Sequence, residues 1–199
     1  MNRSIRSLLL FAIVSIVLSL GTNSALAQQA TKKAEPPTPP DPPSEAILGA
    51  WNDIGGKLID MAEDFPEDNY DFKPSPEVRT FAEVLLHIVG TSYIFSDQVQ
   101  GKPPRPHDLN RKDYPTKASI VAALKKAFRE GADVIKAKGD SGMSKAVYVA
   151  FSNEMVRVSD LAYSSNMHAS EHYGQLVVYF RLNGIVPPQT RKNAPQANE

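Results

Sequence analysis

The sequence predicts an all-α fold, a four-helix bundle, on three observations. Four segments carry apolar residues at steps of three and four, hydroxyl caps and glycine or proline stops bracket them, and no segment alternates convincingly with a strand's period of two. The helical part covers residues 44–188, long enough to bury one core.

The first segment places Ile47, Trp51, Ile54, Leu58, Met61 and Phe65 on one stripe. Gly55 and Gly56 interrupt it, and each costs about 1 kcal/mol of helix propensity relative to alanine. A neighbouring backbone in close approach, or a kink, is expected there; Trp51 is expected in the core. After a proline-rich turn, Thr80 and Glu83 form a capping box, in which each side chain satisfies the other residue's free amide. The stripe that follows is Phe81, Val84, Leu85, Ile88, Thr91, Phe95 and Val99, with His87 on its flank. The run from Gly101 to His107 ends this helix in a loop. Thr116 then caps a third segment, whose Ile120, Leu124, Ala127, Phe128, Gly131, Val134 and Ile135 repeat the period until Gly139 stops it. Between Asp140 and Glu154 the pattern weakens, and residues 146–151 read equally as a short extended segment or a helical turn. The fourth helix begins between Val156 and Ser159 and runs to Asn183, with Gly184 in the left-handed stop position and Pro187-Pro188 beyond. Its inward face is Leu161, Ser165, His168, His172, Gln175, Tyr179 and Leu182.

Residues 1–27 have the order of a secretory signal peptide: Arg3 and Arg6, an apolar run from Leu8 to Leu20, and Ala25-Leu26-Ala27 before Gln28. Cleavage is expected after Ala27, giving a periplasmic or secreted chain without stable membrane insertion. Residues 28–43, rich in proline, read as a disordered extended linker, and residues 189–199 as a disordered tail. With no cysteine, the chain has no disulfide, lipid-anchoring thiol or catalytic thiol. The leader takes two of the 22 basic residues and none of the 22 acidic ones, so the remainder carries 20 − 22 = −2. Without a basic cluster, nucleic acid is not expected as a partner.

His168 and His172 are one turn apart, so two imidazoles share one helix face and can converge on one ion. Alone, such a pair fits a hydrogen-bonded interior pair as well as a ligand pair. His87 supplies a third nitrogen from an apolar helix, and three nitrogens with an open position are what a catalytic type of metal site requires. His107, in the proline-rich loop, reads as solvated. Near the pair, Glu171 points well around the helix and reads as a solvated or supporting group. Gln175, one turn on, is placed to orient a bound water or substrate, or to make a bundle hydrogen bond. Tyr173 lies off the histidine face, and Gly174 suits a closely packed neighbouring helix.

The phrase from His168 to Pro188 (HASEHYGQLVVYFRLNGIVPP) resembles the C-terminal helix signature of the DinB-like four-helix-bundle family. The stretch from Asp68 to Ile88 (DNYDFKPSPEVRTFAEVLLHI) is similar to that family's second-helix region. The resemblance implies a divalent ion held by His87, His168 and His172, frequent homodimers, and in one branch a thiol-dependent transferase. The ligand set suits zinc, nickel or iron. An ion with an open position acidifies a water or thiol and polarises a substrate oxygen. The expected function is thus a metal-dependent transferase or hydrolase acting on a small molecule, with Glu171 and Gln175 as the candidate catalytic groups. The family's thiol cosubstrates are cytosolic whereas the leader points to export, and hydrolysis lacks an evident base. A non-enzymatic bundle with a structural or sequestered ion that binds a partner or itself is the alternative.

Overall fold

A computed structural model of the chain describes residues 40–150 and 152–194. The signal peptide and most of the linker expected from the sequence lie outside the described residues, as do the last five. Four long helices form the unit: α1 (Pro43–Asp64), α2 (Phe81–Val99), α3 (Lys117–Met143) and α4 (Val158–Leu182). Among the described residues no helix is long and apolar enough to cross a membrane.

Both predicted caps form as hydrogen bonds. Thr80 Oγ1 accepts from the Glu83 amide at 3.2 Å, and the Thr80 amide donates to Glu83 Oε2 at 2.7 Å. Thr116 and Ser119 make the same reciprocal pair at the start of α3. Gly184, at φ 69°, ends α4 in the left-handed conformation.

Helices α1 and α2 each pack against both α3 and α4, so α2 and α4 are neighbours along one side of the bundle. Trp51 sits between Phe95 and Phe128, and its indole N–H donates to the Phe128 carbonyl at 2.8 Å. The close approach at the glycine pair comes from a side chain and not from a backbone, and at Gly55 alone: a Cβ there would stand 2.5 Å from the Phe128 ring, while Gly56 faces open space. At the other end Phe65 stacks on Phe81 at 4.0 Å between centroids, with Phe180 beside them.

Gly139 stops the regular third helix as expected, at φ 54° and ψ −174°; a short second helical segment carries α3 on to Met143, which is buried, and Asp140 Oδ1 accepts from the Ser44 amide at the start of α1. The structure corrects three expectations. The extended one of the two readings for residues 146–151 holds for β1 (Ala146–Val149), but it pairs antiparallel with a second strand that was not expected, β2 (Glu154–Arg157), which leads directly into α4. The Val-Tyr-Val of β1 suits a pleat, and Asn153 takes the positive φ of the turn. The tail is not wholly irregular either. Pro188–Lys192 form a short helix, α5, held to α1 by Arg191–Asp64 and Lys192–Asp60 ion pairs. Finally, the buried arc of α4 is wider than the predicted face and turned from it. It contains Ala162, Ala169, Leu176 and Phe180, while Leu182 and Gln175 are exposed. An α4 that packs on both α1 and α2 must bury more than one stripe, and this leaves the histidines at the edge of the arc nearest α2.

Candidate metal centre

His87 from α2 and His168 and His172 from α4 meet between the two helices. His168 Nε2 stands 3.1 Å from His87 Nε2 and 3.1 Å from His172 Nε2. His172 is buried, the His87 side chain is 11 % exposed, and His168 is half-buried. The i, i+4 spacing supplies two rings from one helix face, and α2 presents the third because its N-terminal half lies against α4.

What sits behind the rings fixes which nitrogen faces inward. His87 Nδ1 donates to Asp108 Oδ1 at 2.8 Å, and His172 Nδ1 donates to Gln175 Oε1 at 2.7 Å. Both Nε2 atoms therefore carry lone pairs aimed at His168 Nε2. A single proton on His168 can satisfy only one of them, and no other partner is present at this point among the described residues. A cation satisfies all three. Nitrogens bonded to one ion at about 2.0–2.1 Å would be roughly 2.9 Å apart at right angles and roughly 3.4 Å apart at the tetrahedral angle. The two separations from His168, each 3.1 Å, lie between, and all three ligand atoms are within 4.8 Å of one another. Among the described residues these three histidines are the only such group of potential ligands, so no protein carboxylate completes the set.

Asp108 was missed by sequence reasoning because it comes from the irregular connection between α2 and α3. Two contacts put it in place. Arg105 Nε and Nη2 donate to the buried Asp97 carboxylate, each at 2.8 Å, Nη2 also reaches Glu130 at 2.9 Å, and the guanidinium lies 3.6 Å over the Tyr93 ring. Further along, the His107 carbonyl lies directly on α2 at Gly90, where a Cβ would be 2.0 Å from that oxygen. Asp108 Oδ1 then takes a second hydrogen bond from Arg79 at 3.2 Å. Burial opposes ionisation of this carboxyl, but the hydrogen bond from His87 and the charges of His87 and Arg79 outweigh it and hold its pKa below the ordinary value.

The remaining expected residues fall differently. His107 is solvated as expected, its side chain 63 % exposed; its Nε2 is 3.1 Å from Asp108 Oδ2, and the residue borders a cavity of about 470 Å³ together with His168. Gln175 makes the hydrogen bond that was one of its two expected roles, its Oε1 accepting from His172 Nδ1. Glu171 is exposed and makes no hydrogen bond among the described residues; its charge acts on His168 from a distance. Tyr173 packs against the core. Gly174 faces open space rather than a neighbouring helix.

Burial is the first cause that lowers the imidazole pKa of both His87 and His168. For His87 the hydrogen bond to Asp108 works against it; for His168 the neighbouring histidines add to it. An imidazole whose folded pKa lies below the ordinary value of about 6.5 binds fewer protons folded than unfolded. Its stabilising contribution is whole above that ordinary value and is lost as pH falls from there through the folded pKa. The metal-free chain is thus expected to melt at lower temperature as pH drops below about 6.5, and a His87→Gln/His168→Gln double variant should show a shallower dependence. An unchanged slope in thermal melts of that variant would assign the acid sensitivity elsewhere.

The sequence model of the DinB superfamily matches residues 50–176. No curated protein matches the chain in sequence. Among solved structures, a DinB-like protein from Bacillus cereus is similar at TM-score 0.62 and 18% identity, over 72% of this chain and 95% of its own. YfiT from Bacillus subtilis, described as a probable metal-dependent hydrolase with an unusual four-helix bundle topology, is similar at TM-score 0.58 and 13% identity, over 78% of this chain and 96% of its own. The mycothiol-dependent maleylpyruvate isomerase is similar at TM-score 0.55 and 10% identity, over 67% of this chain and 60% of its own. At these identities the likeness is one of fold.

Proposed function

The chain belongs to the DinB superfamily, and from that and the histidine geometry we propose that it is an exported protein holding one divalent ion through His87, His168 and His172 for transfer or hydrolysis on a small molecule. The observation that carries this is the convergence of three Nε2 atoms, two with their tautomer set from behind by Asp108 and Gln175. Hydrogen bonding of the far ring nitrogen to a carboxylate or carbonyl orients a metal-binding imidazole and raises its basicity. The export part of the reading rests on the leader pattern.

When bound, a divalent ion supplies Lewis acidity to an oxygen or sulfur of the substrate. The chain's own residues do the rest. Asp108, kept ionised beside Arg79, holds the His87 proton on Nδ1; Gln175 does the same for His172. The cavity beside His168 admits a substrate from one side. That cavity, and the lack of a fourth protein ligand among the described residues, favour an enzyme over a purely structural ion. The description of YfiT as a probable metal-dependent hydrolase agrees with this reading.

The test is elemental analysis of the chain purified without nickel affinity chromatography, followed by a screen of thiol and ester substrates against the His168→Ala variant. One equivalent of a divalent metal and activity lost in the variant are expected. A metal-free chain would remove the centre, and equal activity in both proteins would show that the ion is not the catalyst.

A further inference from the structure

The cavity beside the histidines differs in character from the rest of their surroundings. Ile94 and Phe95 from α2 and Leu161 from α4 form its walls, and its lining contains no lysine, arginine, aspartate or glutamate. Two of its hydroxyls are already committed: Thr91 Oγ1 donates to the Ile88 carbonyl at 3.1 Å and Ser165 Oγ to the Leu161 carbonyl at 2.9 Å. Neither has a proton left to offer a ligand. The other polar residues on the lining are Ser164, His168 at the three-histidine point, and His107, whose Nε2 is already 3.1 Å from Asp108 Oδ2. On the other flank the openings are charged, with Arg79, Glu77, Glu83 and Asp108 around one and Arg79 and Gln175 on the other. A substrate with charge along its length would find no partner for that charge on the apolar walls and would give up part of its hydration there. Its volume, about 470 Å³, is within the roughly 300–1,000 Å³ of small-molecule sites.

We infer that the substrate is a neutral molecule with an apolar body and a single polar, metal-seeking head: the body lies against Ile94, Phe95 and Leu161, and the head reaches past His168 to the three-histidine point. This rests on the metal reading proposed above. It excludes from the cavity a thiol or ester built on a sugar, a peptide or a polyanion, and it assigns discrimination to the α2–α4 wall rather than to the ligands of the ion.

The probes are straight-chain alkyl hydroxamates from acetyl to octanoyl, with an octanoyl analogue ending in a carboxylate, titrated into the cobalt-loaded full chain and followed by its visible absorption. Affinity is expected to rise about fourfold for each added methylene that enters the cavity, and to fall by more than tenfold for the carboxylate-ended analogue. Ser164→Trp, a change at an exposed position on the cavity lining, should flatten the series while metal content stays at one equivalent. In parallel, 1-hexanol should shift the methyl resonances of Ile94 and Leu161 in the metal-free chain. A loaded chain that binds all the hydroxamates equally, or the carboxylate-ended one as tightly, overturns the apolar assignment and leaves the centre standing. A chain that takes up no cobalt removes the centre, and the hexanol shifts then decide the cavity on their own: their presence supports an apolar ligand, their absence overturns it.

Discussion

Replacing His172 by alanine is expected to abolish stoichiometric divalent-metal binding and leave the bundle folded. Its Nε2 is one of three at the convergence point, and the two remaining imidazoles come from different helices with no protein carboxylate in the group to take its place. The fold should survive because alanine is the better helix former and the ring lies at the edge of the buried arc, not among the aromatic residues of the core. A loss of about 1–3 kcal/mol is small beside a typical domain stability of about 5–15 kcal/mol. Elemental analysis and far-ultraviolet circular dichroism on the same preparation separate the two effects. Asp108→Asn should be milder, weakening metal affinity about 10–100-fold, since the amide oxygen can still accept from His87 Nδ1 but without the charge. Undiminished metal in His172→Ala would end the three-histidine assignment.

The order of those two effects also separates what the sequence revealed from what it concealed. Histidines 87, 168 and 172 were legible because regular helices carry them: once caps and stripes fix the helix phase, a spacing of four is a statement about direction in space. The helix ends were legible for the same reason, since Thr80, Thr116 and Gly184 act through backbone groups within a few residues of themselves. Asp108 obeys no period. Its position depends on Arg105 finding Asp97 and Glu130, which come from two different helices, and on a loop carbonyl finding Gly90. Such contacts leave no local mark. The nearest signal was Asp97 within an apolar helix, with an arginine in the following loop; a carboxylate that such a helix buries demands a partner. Gln175 was legible only as a pair of alternatives, because spacing places its side chain near His172 without saying which group it meets; the structure gives it the hydrogen bond to His172. The breadth of the α4 arc was hidden as well, since it depends on how many helices pack against α4.

Gly90→Ala is expected to damage the centre without touching a histidine. A Cβ there would stand 2.0 Å from the His107 carbonyl oxygen, 2.5 Å from its carbon and 2.8 Å from its Cα. All three are backbone atoms, so no rotamer change relieves the contact and the loop itself must lift by about 1 Å or more to restore ordinary packing. Arg105, tied to Asp97 and Glu130 two residues earlier, resists that movement, and the strain falls on the segment that carries Asp108. Overpacking of this kind costs about 1–3 kcal/mol, against a gain of about 1 kcal/mol in helix propensity. The larger consequence is functional. Asp108 withdraws from His87 Nδ1, and loss of such a supporting hydrogen bond weakens metal affinity about 10–100-fold. Gly174→Ala is the matched control: it adds the same methyl to α4 next to His172 in sequence, but into open space. It should gain up to about 1 kcal/mol in stability and leave metal affinity unchanged. Thermal melts of the metal-free proteins and competitive metal titrations give both quantities. If Gly90→Ala bound metal as tightly as the parent, the loop would be shown to place Asp108 by some route other than its contact with α2.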